Sequence, residues 1–300
     1  MKKPDQTKPA VSRRRILKVG TAAAALPWFH IRTAGAAGKL NVFFWDHWVP
    51  AGNVVLKEQV ARWSETNKVE TNVDLITSIG QKTLLTINAE AQAGRGHDLF
   101  TMSNWNVRDH ANKLEPVDDV VKRLEGKYGP ADRVSQYLGR TKDRWIAIPC
   151  SWGTQNKGPA ARISWMKEFA GIDLVKMYPA ANVPETPEAK AWTMDAFLKA
   201  AEACSKAGKP FAIGTGTTAD NVDTWGSILA AFGAELVDAK GQLVIKSDAV
   251  RQALEYCQQL AKWLPGEAAS FDDASNNRML ISGNSALIWN PPSAWAVVTT

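Results

Sequence analysis

Six short apolar runs alternate with stretches of helical periodicity, and this alternation constrains the fold more than any other feature of the chain. The runs are KLNVFFW (39–45), VETNVDLI (69–76), DLFTM (98–102), WIAIPC (145–150), PFAIGT (210–215) and SALIWN (285–290). Each has the length of a strand, and KLNVFFW is nearly continuous in apolar residues, as in a strand buried on both faces. Between the runs, a helix from about Asn53 carries Leu56, Val60 and Trp63 at i, i+4 and i+7. QKTLLTINAEAQAG is also helical, with Gly94 where a left-handed cap belongs, and a helix from Trp225 to Phe232 stops at Gly233. The clearest helix covers 248–264, with Val250, Ala253, Leu254, Cys257, Ala261 and Leu264 on one stripe. Ser247 is its expected N-cap and Pro265-Gly266 its stop. Strands alternating with helices predict an α/β fold of mostly parallel sheets flanked by helices.

The first thirty-six residues stand apart from this pattern. SRRRILKVG (12–20), the apolar TAAAAL and the small-residue stretch TAGAAG make a secretory signal, too short for a stable membrane span. Arg13-Arg14, after Ser12 and before Ile16-Leu17-Lys18, resembles a twin-arginine export signal, with Ile16 where Phe is common. A basic arm for nucleic acid would not need the alanine-rich run behind it. Cleavage is expected near Ala36, after Ala34-Gly35-Ala36, so that 1–36 is the signal peptide. The best domain boundary lies near IPCSWGTQNKGPA (148–160), which divides the remainder into an N-terminal lobe, 37–148, and a C-terminal lobe, 149–300. The chain ends at PPSAWAVVTT, in the first turns of a helix after a strand, which reads as a truncated frame.

Setting the signal aside changes the electrostatics. The whole chain carries 36 basic and 30 acidic residues, a net charge of +6. Residues 1–36 hold eight of the bases and one acid, leaving 28 bases against 29 acids, a net of −1. Basicity therefore gives no argument for nucleic-acid or membrane partners. Cys150, Cys204 and Cys257 are widely spaced, without CxxC or zinc-ligand spacing, so neither a disulfide framework nor a metal site is indicated. Buried small hydrophobes are the expected role of at least two of them.

In open α/β sheets, ligands bind beyond the carboxyl ends of the strands. After the first strand comes Trp45-Asp46-His47-Trp48 and after the second Ser78 and Gly80. Ser103, Asn104 and Trp105 follow the third. Ser151, Trp152 and Gln155 follow WIAIPC; Thr217 and Asp220, with Trp225 just beyond, follow PFAIGT; Asn290 and Trp295 follow SALIW. Twelve of the thirteen tryptophans lie after residue 36, and several fall at these positions. Indole faces with Asp, Asn, Gln and Ser suit a sugar, whose C–H face stacks on the ring while its hydroxyls donate and accept. Trp63, Trp145, Trp165, Trp192 and Trp263 lie within helices or strands and are read as core; Trp48, Trp105 and Trp152 fit core or ligand platform equally.

Much of the chain after residue 36 resembles an extracellular solute-binding protein of the family 1 type, the periplasmic component of ABC sugar importers. The resemblance rests on KLNVFFW followed by a helix, on LLTINAEAQAGRGHDLFTM, on RWIAIPCSWGTQNKGPAARISWMKEFAGID and on ISGNSALIWNPPSAW. SWGTQNKG is more polar than usual for the family, and the segments that follow PPSAW in the family are absent. The resemblance implies the two-lobe periplasmic-binding-protein fold (type II), here with the second lobe and its return to the first incomplete. It also implies a monomer that closes about a hinge over a sugar or polyol, delivers it to membrane permease subunits and uses no cofactor.

Other readings of the residues remain. An exported carbohydrate-active enzyme would need two carboxylates flanking the bond. Asp46 with Asp220 or Asp223, or Asp46 with His47, could be drawn that way, but no GxSxG or HExxH motif is present. Metal capture in relatives of this fold uses clustered tyrosines, whereas Tyr128, Tyr137, Tyr178 and Tyr256 are dispersed; a polyamine site would need a carboxylate-lined cleft. His97 and His110 read as ordinary loop and helix residues.

Overall fold

The computed structural model of the protein describes residues 38–103, 105–150, 158–180, 184–290 and 293–299. Strand β1 (Lys39–Trp45) is the centre of a three-stranded parallel sheet, flanked by β2 (Glu70–Ile76) and β3 (Leu99–Phe100). Successive strand residues face opposite sides of a sheet, and Val42 and Phe43 are 3% and 0% exposed, so β1 is covered on both faces. The edge strand β2 alternates exposed Glu70, Asn72 and Asp74 with half-buried Thr71, Val73 and Leu75, as a strand wetted on one face should.

Parallel neighbours cannot be joined by a tight hairpin, and helices make both crossovers. Helix α1 (Pro50–Asn67) runs from β1 to β2 and α2 (Lys82–Ala93) from β2 to β3. Pro50 supplies a preset φ at the start of α1, where its missing N–H costs nothing. At the end of α2, Gly94 is left-handed (φ 64°) and donates its N–H to Glu90 O, the cap read from the sequence. The apolar stripe of α1 is less buried than expected. Leu56 and Val60 are half-buried and Trp63 is 46% exposed, so this indole is not core.

Helices α3 (Asp118–Tyr128) and α4 (Arg133–Gly139) precede WIAIPC, which does not form the expected strand. It makes one antiparallel bridge, Arg140 with Trp145, and Trp145 and Ile146 bond to residues around helices α3 and α4 rather than to a strand. Trp145 N–H donates to Asp118 Oδ1 at 3.0 Å, Trp145 O accepts from Val117 at 2.9 Å, and Ile146 N–H donates to Gly139 O at 2.9 Å. The pattern was legible because Trp145 and Ile146 are buried; the ladder was not, because the partners are a turn and a side chain.

The second sheet departs from the expected parallel arrangement. Strand β4 (Pro159–Ala161) pairs antiparallel with β5 (Leu287–Trp289). PFAIGT lies beside β5, with Ala212 N–H donating to Leu287 O at 2.9 Å, but makes no regular strand. Helices α5 (Ile163–Ala170), α6 (Met194–Lys206), α7 (Ala219–Ala231) and α8 (Asp248–Ala261) pack around it, followed by α9 (Ser275–Ile281) and α10 (Ser293–Thr299). Their core contains Met166, Phe197, Cys204, Phe211, Ile228, Leu260 and Leu287. Three of these helices, α6, α7 and α8, begin at side-chain caps: Thr193, Thr218 and Ser247 accept from Ala196, Asn221 and Val250 N–H respectively. Gly233 (φ 69°) follows α7 as read from the sequence. Among the described residues, no helix is long and apolar enough to cross a membrane.

Helix α8 is where the sequence predicts, but its buried stripe is rotated. Val250, Ala253, Tyr256, Leu260 and Leu264 are buried, while Leu254 is 58% exposed and Ala261 is exposed. The rotation brings Tyr256 inward, where its hydroxyl donates to Met194 O at 2.8 Å, so a phenol with a satisfied tip outcompetes a leucine for the interior. Of the cysteines, Cys204 is fully buried, Cys257 is half-buried against the same core, and Cys150 is exposed. Burial pushes the Cys204 thiol up to about 11.

The rotated stripe is open to measurement. Leu260→Ala should cost about 2–5 kcal/mol in urea denaturation, and Leu254→Ala no more than about 0.5 kcal/mol. Comparable losses at both positions would restore the stripe read from the sequence.

Candidate functional site

The carboxyl end of β1 delivers a compact polar and aromatic turn. Asp46 N–H donates to Ile76 O at 3.0 Å, extending the ladder by one residue before the chain turns away. Asn53, in the first turns of α1, then bonds twice: its Nδ2 donates to Asp46 Oδ1 at 2.6 Å and its Oδ1 accepts from His47 N–H at 3.0 Å. His47 Nδ1 accepts from Val49 N–H at 2.9 Å, which assigns the ring proton to Nε2. Asn53 thus holds the Asp46 carboxylate and the His47 backbone together, while the His47 ring accepts from Val49. Trp45 packs beside them, its ring 5.1 Å from His47 and 5.5 Å from Trp48, the latter edge to face.

The Trp45 indole N–H donates to Ser78 Oγ at 3.3 Å, joining this turn to the loop after β2. That loop turns through two left-handed residues, Gly80 (φ 63°) and Gln81 (φ 59°). Glycine adopts this conformation freely, whereas glutamine does so at a cost of order 1 kcal/mol. Gln81 Nε2 reaches Thr217 O at 3.5 Å, so the loops after β2 and after PFAIGT meet although 136 residues separate them.

Two side chains of α7 hold the loop that carries Thr217. Trp225 Nε1 donates to Gly214 O at 2.8 Å and Asn221 Nδ2 donates to Gly216 O at 2.7 Å. A Cβ at Gly216 would lie 2.6 Å from Ala269 O, so only glycine fits there. The Trp225 ring packs against the core, and its N–H braces this loop. Asp220, one residue into α7, accepts at Oδ2 from Asn276 Nδ2 at 3.1 Å. Asn290 Nδ2 donates to Asn277 Oδ1 at 2.5 Å and Asn276 Oδ1 at 3.5 Å, and Asn277 Nδ2 donates to Ser293 Oγ at 3.2 Å. Asn276, Asn277 and Asn290 are buried, and buried amides need partners of this kind. Beside them, burial opposes the charge of Asp272, but bonds from Ser275, Ala274 N–H and Arg278 hold its carboxyl below the usual carboxylate range.

The structure therefore brings Trp45, Asp46, His47, Trp48 and Ser78 into one cluster, sets Gly80 beside the Gln81–Thr217 contact, and links Asp220 to Asn290 through Asn276. Ser103 is exposed, Trp105 is 37% exposed, and Trp295 on α10 is 63% exposed. Asn104, Ser151, Trp152 and Gln155 lie outside the described residues, as does the signal peptide. Sequence reasoning missed Asn53, Gln81, Asn276 and Asn277. The adjacent amides in SNNRMLI were the available signal, since polar residues on a short helix beside a buried strand must be bonded. Among the described residues, no group of three or more His, Cys, Asp or Glu is placed to hold a metal ion.

A profile described as bacterial extracellular solute-binding protein matches residues 50–299. The chain belongs to that family. Solved structures similar to this family member include maltose-bound MalE3 of T. maritima, at 16% identity and a TM-score of 0.63, covering 88% of this chain and 64% of that one. A sugar transporter of Arthrobacter chlorophenolicus A6 with bound laminaribiose gives 17%, 0.64, 84% and 60% in the same order. An ABC transporter solute-binding protein of Agrobacterium radiobacter K84 in complex with ribitol gives 19%, 0.58, 84% and 60%. The fold is thus the two-lobe α/β fold of the periplasmic binding proteins, and the chain spans 60–64% of the length of these structures. No curated protein matches the chain.

The Asn53 brace gives a direct test. Asn53→Ala removes the partners of the Asp46 carboxylate and the His47 amide together and should lower stability by about 1–3 kcal/mol, read from the urea midpoint. An unchanged midpoint would mean that the turn after β1 is not held by this side chain.

Proposed function

We propose that this chain is the substrate-binding component of an ABC importer and captures a sugar or polyol between its lobes. The observation that carries the reading is the turn after β1, where Trp45 and Trp48 meet edge to face beside an Asp46 carboxylate already oriented by Asn53. Indole offers a face for sugar C–H groups, and a carboxylate accepts from two adjacent hydroxyls. Such a site selects strongly, because a sugar with the wrong hydroxyl pattern leaves buried polar groups unpaired. Family membership and neighbours that hold maltose, laminaribiose and ribitol support the same ligand class.

In this reading residues 37–148 form the first lobe and 149–300 belong to the second. Ser78, Gly80, Ser103 and Trp105 line the first-lobe wall with the Trp45–Trp48 turn. Thr217, Asp220, Trp225, Asn290 and Trp295 belong to the opposite wall, Trp225 through the loop it braces. The protein is a periplasmic monomer exported by the twin-arginine route. Closure of the lobes signals occupancy to the permease subunits, and no bond in the ligand is made or broken.

A melting screen of the protein against maltose, laminaribiose, ribitol and related sugars and polyols tests this directly. A ligand at about 100 times its Kd should stabilise the folded state by about 2.7 kcal/mol. Trp48→Ala should weaken that ligand about tenfold or more, equivalent to ~1.4 kcal/mol. The empty variant should lose at most the ~0.5–1.5 kcal/mol of an aromatic pair. Hydrolysis of a sugar in the screen, with no thermal shift from any of them, would replace the binding reading with an enzymatic one.

A further inference from the structure

His97, three residues beyond the α2 cap, is held by two acids from different elements. Its Nδ1 lies 2.9 Å from Glu90 Oε1 and 3.1 Å from Oε2, and its Nε2 lies 3.0 Å from Asp74 Oδ2. The backbone N–H of the same residue donates to Glu90 Oε2 at 2.8 Å. The ring is edge-on to Phe43 of β1 and Phe100 of β3, with centroids 5.6 and 6.0 Å away. Glu90 approaches so closely that a Cβ at Gly96 (φ 148°) would lie 2.0 Å from its Oε2.

A neutral imidazole has one N–H, so in this geometry its other nitrogen would point a lone pair at a carboxylate. Only the imidazolium donates to both. Asp74 from β2 and Glu90 from α2 are the charged groups facing the ring, while β1 and β3 face it with phenylalanine. Along its own segment Arg95 is exposed, and the Asp98 carboxylate accepts from Asn41 N–H at 2.8 Å.

We propose that His97 is a pH-sensitive clasp: as the imidazolium it fastens the start of β3 to β2 and α2, and on losing its proton it releases that edge. The segment it holds continues directly into β3, where Leu99 and Phe100 pair with Val42 and Phe43 of β1. Burial of the ring works against the charge, but the bonds and charges of Asp74 and Glu90 outweigh it and raise the group above its ordinary value of 6.5. The sign follows from the raised value. The clasp is fully present below the unfolded value and is lost as pH rises through the folded one.

The test is a titration of the full chain from pH 5 to 9 by proton NMR, with stability and amide exchange read in parallel. The His97 ring signal, identified by its displacement in Glu90→Gln, should titrate above 6.5. The folding equilibrium constant should fall by up to about tenfold per pH unit between the unfolded and folded values. Protection of the Asp98 and Thr101 amides, which bond to Asn41 O and Phe43 O, should fall over the same interval once exchange is corrected for its intrinsic base catalysis. His97→Gln should flatten both dependences. A wild-type signal at or below 6.5, or the same pH slope in His97→Gln, overturns the proposal. If His97→Gln does not fold, the wild-type titration and its shift in Glu90→Gln decide the matter.

Discussion

A strand covered on both faces can offer polar side chains only at its ends, and β1 is such a strand. Phe43 is fully buried and Val42 nearly so, which leaves the ends of the strand as the places where its side chains approach solvent. Trp45, Asp46, His47 and Trp48 follow because the chain must turn at the carboxyl end, and Asn53 turns them into a defined geometry by bonding on both sides of the turn. The parallel register carries the constraint outward. With Trp45 opposite Ile76, the loop after β2 begins at the same height, and Ser78 comes within reach of the indole N–H.

The second sheet reaches a comparable result with buried polar residues. Around β5, the side chains of Asn276, Asn277 and Asn290 occupy positions where apolar groups would pack more simply. Amides left unpaired in such a place would each cost roughly 1–3 kcal/mol, so the network holds only in an arrangement that satisfies all of them. That requirement makes the orientation of Asp220 a consequence of the packing below it.

What could be read in the sequence divides along a physical line. Features set by neighbours in the chain were legible: the Gly94 and Gly233 stops, the Ser247 cap and the apolar character of KLNVFFW. Features that depend on distant partners were not. WIAIPC has the composition of a strand, yet its hydrogen bonds go to a turn and to Asp118. The stripe on α8 was rotated by the fit of Tyr256 against Met194. His97 read as a loop residue because its two carboxylates lie 7 and 23 positions away and meet only through the sheet register. The polar turn after β1 was legible as a strand end, and the side chain that braces it was not, because a brace is defined by what it touches.

Burial of Cys204 has a chemical consequence for a protein of an extracellular family. Exchange between sulfurs requires a thiolate, and a thiol pushed up to about 11 supplies very little of it near neutral pH. A protein of an extracellular family thus carries here a sulfur that is seldom a thiolate and that solvent does not reach. Within the folded molecule Cys204 behaves as a hydrocarbon of convenient size, and it regains the reactivity of its element only when α6 comes away from the core.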